Sequence, residues 1–254
     1  MERKKRRNDD LSFLDHLEEL RRRIFYSLIP IIVIFFANWF IAKDLFNIIA
    51  RPIVKYLPPG QKLAFTSLTT PFMLYLKVSL LAAVFFASPI VAYQAWKFIS
   101  PALYPHEKKY VIPFVFSTSF FFLLGGAFGY FIVFPWTCRF FLSLGKDFQP
   151  IITIDNYFNL AIEILLGIGI VFELPVVIFI LSKLGILSPR FMIKNFKYAV
   201  LISFVIAGII TPTPDAITQS IVAGPFILLY SIGIFVSYLA GRKKDKDKVD
   251  TPQG

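Results

Sequence analysis

Six long apolar runs constrain this chain more than any other feature. Ile24–Ala42, Val78–Trp96 and Tyr110–Cys138 contain no charged residue. Ile164–Ser182 contains one, Glu173. Tyr198–Pro214 and Ala216–Ala240 contain none and are separated only by Asp215. A helix of about 20 apolar residues crosses the roughly 30 Å hydrocarbon core of a bilayer. In lipid every backbone polar group must be satisfied within the protein, so such runs are read as helices. The fold class expected is an all-α integral membrane protein with six transmembrane helices. Its spans are about 24–42, 74–98, 110–137, 157–183, 198–211 and 216–240, within a single membrane domain over 1–254. Of its 254 residues 56% are hydrophobic, against about 45–50% in soluble domains, and its mean hydropathy is +0.66. The loops are too short to hold a soluble domain, and no internal repeat is evident.

The first run is 19 residues, longer than the roughly 7–15 of a secretory h-region, so no cleaved signal is expected. A single cysteine, Cys138, excludes an intrachain disulfide and reads as a small apolar filler. Orientation follows from Lys and Arg. With the N-terminus in the cytoplasm, 20 of the 27 basic residues fall inside and 7 outside. That bias accounts for the net charge of +11 through contact of the basic ends with anionic membrane lipids, with no nucleic acid needed.

Residues 1–9 and 241–254 are charged and lack apolar periodicity, so they read as mobile cytoplasmic tails. Between the first tail and the first span lies an amphipathic lead-in helix, 10–23, with Phe13, Leu17 and Leu20 on one stripe. Asp15, Glu18 and Glu19 form an acidic strip, and Arg22 and Arg23 follow Glu18 and Glu19 by four residues. Two readings are open: an interfacial helix stabilised by i,i+4 pairs such as Glu18 with Arg22, or one with a carboxylate left to receive a cationic ligand at the membrane surface. After span one, Leu45, Ile48, Ile49, Pro52 and Ile53 give a short interfacial helix. Leu63–Leu68 reads as extended, and Thr70-Pro71 as a helix start. Asp155 is a candidate cap for span four. Gly185 ends that span, and Ser188-Pro189 opens a short surface helix. Tyr198–Ile210 spans only about 20 Å at 1.5 Å per residue, so it thins the bilayer or dips into it.

Three acidic positions could carry function. Glu19 lies five residues before the first run and Glu107 three before the third. Those spans run in the same direction, so the two carboxylates share a side and a depth; lateral distance is not readable. Each has cationic neighbours, which leaves local pairing open. Glu173 sits mid-span, where an ionisable residue is costly and faces the bundle or a polar partner. Gly169, one turn earlier, leaves room for a close helix. His16 and His106 accompany Glu19 and Glu107, but the HxxE spacing is common and no cysteine or third histidine assists. No metal site and no cofactor are expected. No Ser-His-Asp set, phosphate-binding glycine loop or zincin motif is present, so no enzyme activity is expected.

Four motifs carry a resemblance. HLEELRRR before span one, FISPALYPHEKK after span two, FELPVV in span four and ITPTPDAITQ between spans five and six resemble, in order and spacing, the TatC family, the large subunit of the twin-arginine (Tat) translocase. The resemblance covers about residues 12–240. It implies six helices in a cupped arrangement with both termini cytoplasmic, in the cytoplasmic (inner) membrane. It implies recognition of twin-arginine signal peptides on the cytoplasmic face. It also implies a homo-oligomer within a larger complex, recruitment of single-span TatA/TatB-type subunits, and export of folded proteins driven by the proton-motive force. Glu19 and Glu107 match the family's signal-binding acids, with Arg21 and Phe98 near that site. Glu173 matches its intramembrane acid, and Pro52 and Asp215 match functional positions of the outer loops. The TPTPD loop is one residue longer than the TPPD of some members. A competing reading from the residues alone is a proton- or ion-coupled secondary transporter using Glu173, though such folds usually show structural repeats and paired broken helices. A membrane scaffold without peptide specificity is a third.

Overall fold

The computed structural model describes residues 2–55, 63–100, 111–145, 147–148, 151–211 and 215–249, with side chains described between 16 and 239 of these. Among the described residues the regular structure is helical, apart from one isolated bridge. Helix α1 (Glu2–Trp39) runs without interruption through the lead-in segment into the first apolar run. It then bends by 87° into α2 (Ala42–Val54). Helix α3 is Thr70–Ile99. Val111–Phe128 forms α4, a π segment follows at Gly129–Val133, and α5 is Phe134–Leu144. Helices α6 (Ile154–Phe172) and α7 (Leu174–Lys183) meet at Glu173. Helix α8 is Pro189–Lys194, α9 is Phe196–Ile210 and α10 is Ala216–Val249.

By length and apolarity four stretches can cross a membrane: Thr70–Ile99, Val111–Leu144, Ile154–Lys183 and Ala216–Leu239. The bent α1–α2 pair is a fifth if taken as one span, and α9 is a shorter apolar helix of 15 residues. Each of the six apolar runs is thus helical over most of its described residues, with α9 short as expected. Helices α1 and α10 continue into the charged end segments 2–9 and 241–249. Lys, Arg and Glu have good helix propensity, so the backbone can continue there without an apolar stripe.

Proline explains both irregular spans. Pro135 lacks an N–H and its ring crowds the carbonyl four residues earlier. The helix widens just before it, with the Phe134 amide bonding to Gly129, and π turns and Pro sites are recognised causes of such kinks. Pro175 acts the same way on the fourth run. The fourth run still crosses as one stretch, Ile154–Lys183, but its helix divides at Glu173, whose amide bonds to Ile170 at 3.1 Å. Gly185 has φ 78°. It ends α7 with the paired bonds Ile186 N–H to Leu181 and Gly185 N–H to Ser182, at 2.9 and 3.1 Å, a glycine cap of the kind that needs a left-handed residue. Ser188 caps α8, its hydroxyl accepting from the Phe191 amide at 3.3 Å.

The core is organised around α6. Tyr157, Phe158, Ala161, Ile164, Leu165, Ile168 and Phe172 form its buried stripe, at the helical spacing. They pack with Leu74, Val78 and Leu81 of α3, Phe134 of α5 and Val222 and Phe226 of α10. Lipid is as apolar as leucine, so helices in a bilayer associate through close packing at small residues. At the α4–α6 crossing a Cβ on Gly125 would lie 2.9 Å from the Gly169 Cα and 2.8 Å from the Phe172 Cβ. The close helix that Gly169 was expected to admit is α4. Outward, Phe25, Ile29, Val33 and Phe36 of α1 are exposed, as a lipid-facing surface requires.

Helix α1 lies antiparallel along α3. Asn38 donates to the Ser79 carbonyl at 3.3 Å near one end, and the His16 and Phe98 rings stack at 4.6 Å at the other. Before α3, Ala64 pairs in parallel with Thr153, through Ala64 N–H to Ile152 and Ile154 N–H to Ala64 at 2.9 and 2.8 Å. Strand-like structure within 63–68 is limited to this bridge.

Candidate functional site

Glu19 lies on α1 one turn before Arg23, and the two form an ion pair at 3.1 Å. Their side chains are 30% and 22% exposed, so the pair is accessible but sheltered by α3. Arg23 Nη1 also reaches Gln94 Oε1 of α3 at 3.5 Å. Phe98 stands one turn further along α3, stacked on His16. Glu19, Arg23, Gln94, Phe98 and His16 thus form one patch at the α1–α3 junction. The Arg21 guanidinium lies over the Phe25 ring, 5.7 Å from its centroid, on the exposed side of α1. Glu107 and His106 lie outside the described residues. Among the described residues no group of three His, Cys, Asp or Glu could hold a metal ion.

Two local expectations are corrected. Glu18 does not pair with Arg22 among the described residues. The Arg22 guanidinium instead lies over Tyr26, 5.5 Å from the ring centroid, because an exposed carboxylate offers little over solvent while the aromatic face sits one turn away. Asp155 does not cap α6. Thr153 holds the cap position, with no side-chain bond, and Asp155 accepts from Lys77 at 2.7 Å. Lys77 donates also to Asn159 at 2.9 Å, so it ties α3 to the first two turns of α6. Arg23, Gln94 and Lys77 were not singled out as site residues. A glutamine near the end of the otherwise apolar run Val78–Trp96 was the available signal for Gln94.

Glu173 sits at the α6–α7 break. Its Oε1 is buried without a hydrogen-bond partner among the described residues, and the carboxyl lies against the Phe122 backbone of α4. Pro175 frees this stretch of helix locally, which leaves a polar junction inside an otherwise apolar packing layer. At the opposite membrane end from Glu19, Pro52 is inside α2. Lacking an N–H, it leaves the Ile48 carbonyl without its helical donor. The Tyr130 hydroxyl donates to that oxygen at 2.6 Å, and Tyr157 donates to the neighbouring Ile49 carbonyl at 2.8 Å. Asp215 accepts from the Thr218 amide at 2.7 Å and so caps α10.

These features define a polytopic α-helical membrane protein with a carboxylate–guanidinium patch at one surface and a lone carboxyl between its helices. The profile of the family described as Sec-independent protein translocase protein (TatC) matches residues 15–225. A TatC of Koribacter versatilis is 43% identical over 250 residues, 96% of this chain and 92% of that protein. A TatC of Escherichia coli K12 is 33% identical over 242 residues, 94% and 93% of the two. A crystal structure of a TatC described as the twin-arginine translocase receptor superposes with a TM-score of 0.75 at 39% identity, covering 89% of this chain and 99% of that one. The chain belongs to the TatC family. It is a multi-pass membrane subunit of a Sec-independent protein translocase and not an enzyme, which decides against the transporter reading of Glu173.

Proposed function

We propose that the Glu19 patch, together with Glu107, receives the two adjacent arginines of a twin-arginine signal peptide. The observation that carries this reading is the Glu19–Arg23 pair: the carboxylate already holds a guanidinium at 3.1 Å, half-sheltered, beside the aromatic pair Phe98 and His16. An arriving arginine replaces Arg23 on Glu19 and can lie over the aromatic face, as Arg21 does on Phe25. Arginine's planar fork pairs with carboxylates in a way that lysine's point charge does not reproduce. Glu107 takes the second arginine.

The patch faces the cytoplasm. The chain lies in the inner membrane with both termini inside, a placement supported by the 20-to-7 distribution of basic residues. It works as a homo-oligomer within a larger complex with single-span TatA/TatB-type subunits, exporting folded proteins with the proton-motive force. Glu173 serves as a polar contact for a single-span partner. Pro52 and Asp215 maintain the helix ends of the outer face, one by recruiting Tyr130 and the other by capping α10.

The test is signal-peptide affinity of the purified protein in nanodiscs. A hydrogen bond to a charged group contributes about 1.5–3 kcal/mol, so losing two weakens binding by about two to four decades. Glu19→Ala and Glu107→Ala should each lose part of that and the double variant nearly all, while Glu18→Ala changes little. A folded double variant with unchanged affinity removes the site.

A further inference from the structure

At the membrane end opposite Glu19, the last turns of α2 and the wall formed by the π segment and α5 enclose a groove of about 470 Å³. Arg51 of α2 and Lys55 just after that helix line it on one side, and Arg139 of α5 on the other. No acidic side chain lines it. Among the described residues none of the three cations makes an ion pair, since the pairs present there are Glu19–Arg23 and Lys77–Asp155. Tyr130, also in the lining, has its hydroxyl committed to the Ile48 carbonyl, so it acts as a fixed wall. Pro52, Pro135, Phe131 and Trp136 complete the lining, and the two aromatics are 72% and 44% exposed.

We infer that this groove binds the headgroup of an anionic phospholipid, with an acyl chain lying along Phe131 and Trp136. The assignment rests on charge and position. Three cations without an ion-pair partner around one concave space make it a favourable place for an anion. They stand where the α1–α2 bend brings the chain to the membrane surface, and the exposed aromatic side chains continue the groove toward the hydrocarbon, at the depth favoured by interfacial tryptophan and tyrosine. An anionic lipid is preferred over a zwitterionic one because no carboxylate in the lining would receive a headgroup amine. A lipid held here would brace α2 against α5 beside Pro52.

The test compares phosphatidylglycerol and phosphatidylcholine of matched chains binding to the purified full chain, read by native mass spectrometry. Wild type should favour phosphatidylglycerol. The triple variant Arg51→Gln, Lys55→Gln, Arg139→Gln should bind it about a hundredfold more weakly, at the usual worth of a basic residue near anionic lipid, with phosphatidylcholine binding unchanged. The control Arg190→Gln, Lys194→Gln, Lys197→Gln should keep the preference. Retained preference in the first variant, or an equal loss in the control, overturns the inference. Displacement of the lipid by millimolar inorganic phosphate also overturns it, reducing the groove to a phosphate site. Should the first variant fail to fold, a phosphatidylglycerol photoprobe on wild type should label peptides spanning 51–55 or 130–139; labelling confined to other peptides overturns it.

Discussion

The Tyr130 hydroxyl donates to the Ile48 carbonyl at 2.6 Å, and Ile48 is the acceptor that Pro52, four residues on, leaves without a helical donor. A break made by one proline is closed by a tyrosine from another span, 82 residues away. In a bilayer, where a free carbonyl is costly, this joins the interfacial helix α2 to the core.

That relationship predicts a compensating pair. Tyr130→Phe orphans the Ile48 carbonyl and should cost about 1 kcal/mol, lowering the detergent-solubilised Tm by about 2–4 °C. Pro52→Ala restores an N–H in the helix, so Tyr130→Phe in that background should cost clearly less. Equal costs in both backgrounds, measured as a double-mutant cycle, would show that the bond and the proline are independent.

Arg23 is predicted to compete with the signal peptide for Glu19. Removing it by Arg23→Gln gives up a half-sheltered i,i+4 pair; helix pairs of this spacing contribute about 0.3–0.5 kcal/mol. Twin-arginine peptide affinity should therefore rise by about twofold. A tenfold fall would instead make Arg23 part of the binding surface, held there by Gln94.

Glu173 is predicted to act as a hydrogen-bonding group rather than as a charge. Glu173→Gln keeps an acceptor and adds donors, so export of a folded reporter should survive it better than Glu173→Ala or Glu173→Leu, at matched protein levels. Export that survives Ala but not Gln would refute the hydrogen-bond role, and a strict requirement for Glu or Asp would point to proton transfer.

Topology is open to direct labelling. Cysteines replacing Lys5, Tyr104, Arg190 and Lys248 should resist an impermeant thiol reagent in intact cells, and cysteines replacing Gly60 and Gln149 should react. Labelling at 104 with none at 60 inverts the assignment of the Glu19 patch to the cytoplasm.

What the sequence determined by itself was set by short-range chemistry. Run length against bilayer thickness placed the helices, because backbone groups in lipid have no partner but their own helix. Gly185, Ser188 and Gly169 were readable because a cap or a close approach depends on one residue and its neighbours within a turn. Rise per residue is constant, so the sequence also carries an expectation of depth, such as one level for Glu19 and Glu107. Lateral placement was not readable, because many arrangements of apolar helices satisfy the same backbone. Only the tertiary structure set Arg23 against Gln94, Lys77 against Asp155 and Tyr130 against Ile48, pairs 71, 78 and 82 residues apart. Where a local rule met such a distant partner the distant partner won: Asp155 left its cap for Lys77, because a cation brought within 2.7 Å holds a carboxylate more strongly than a neutral amide does.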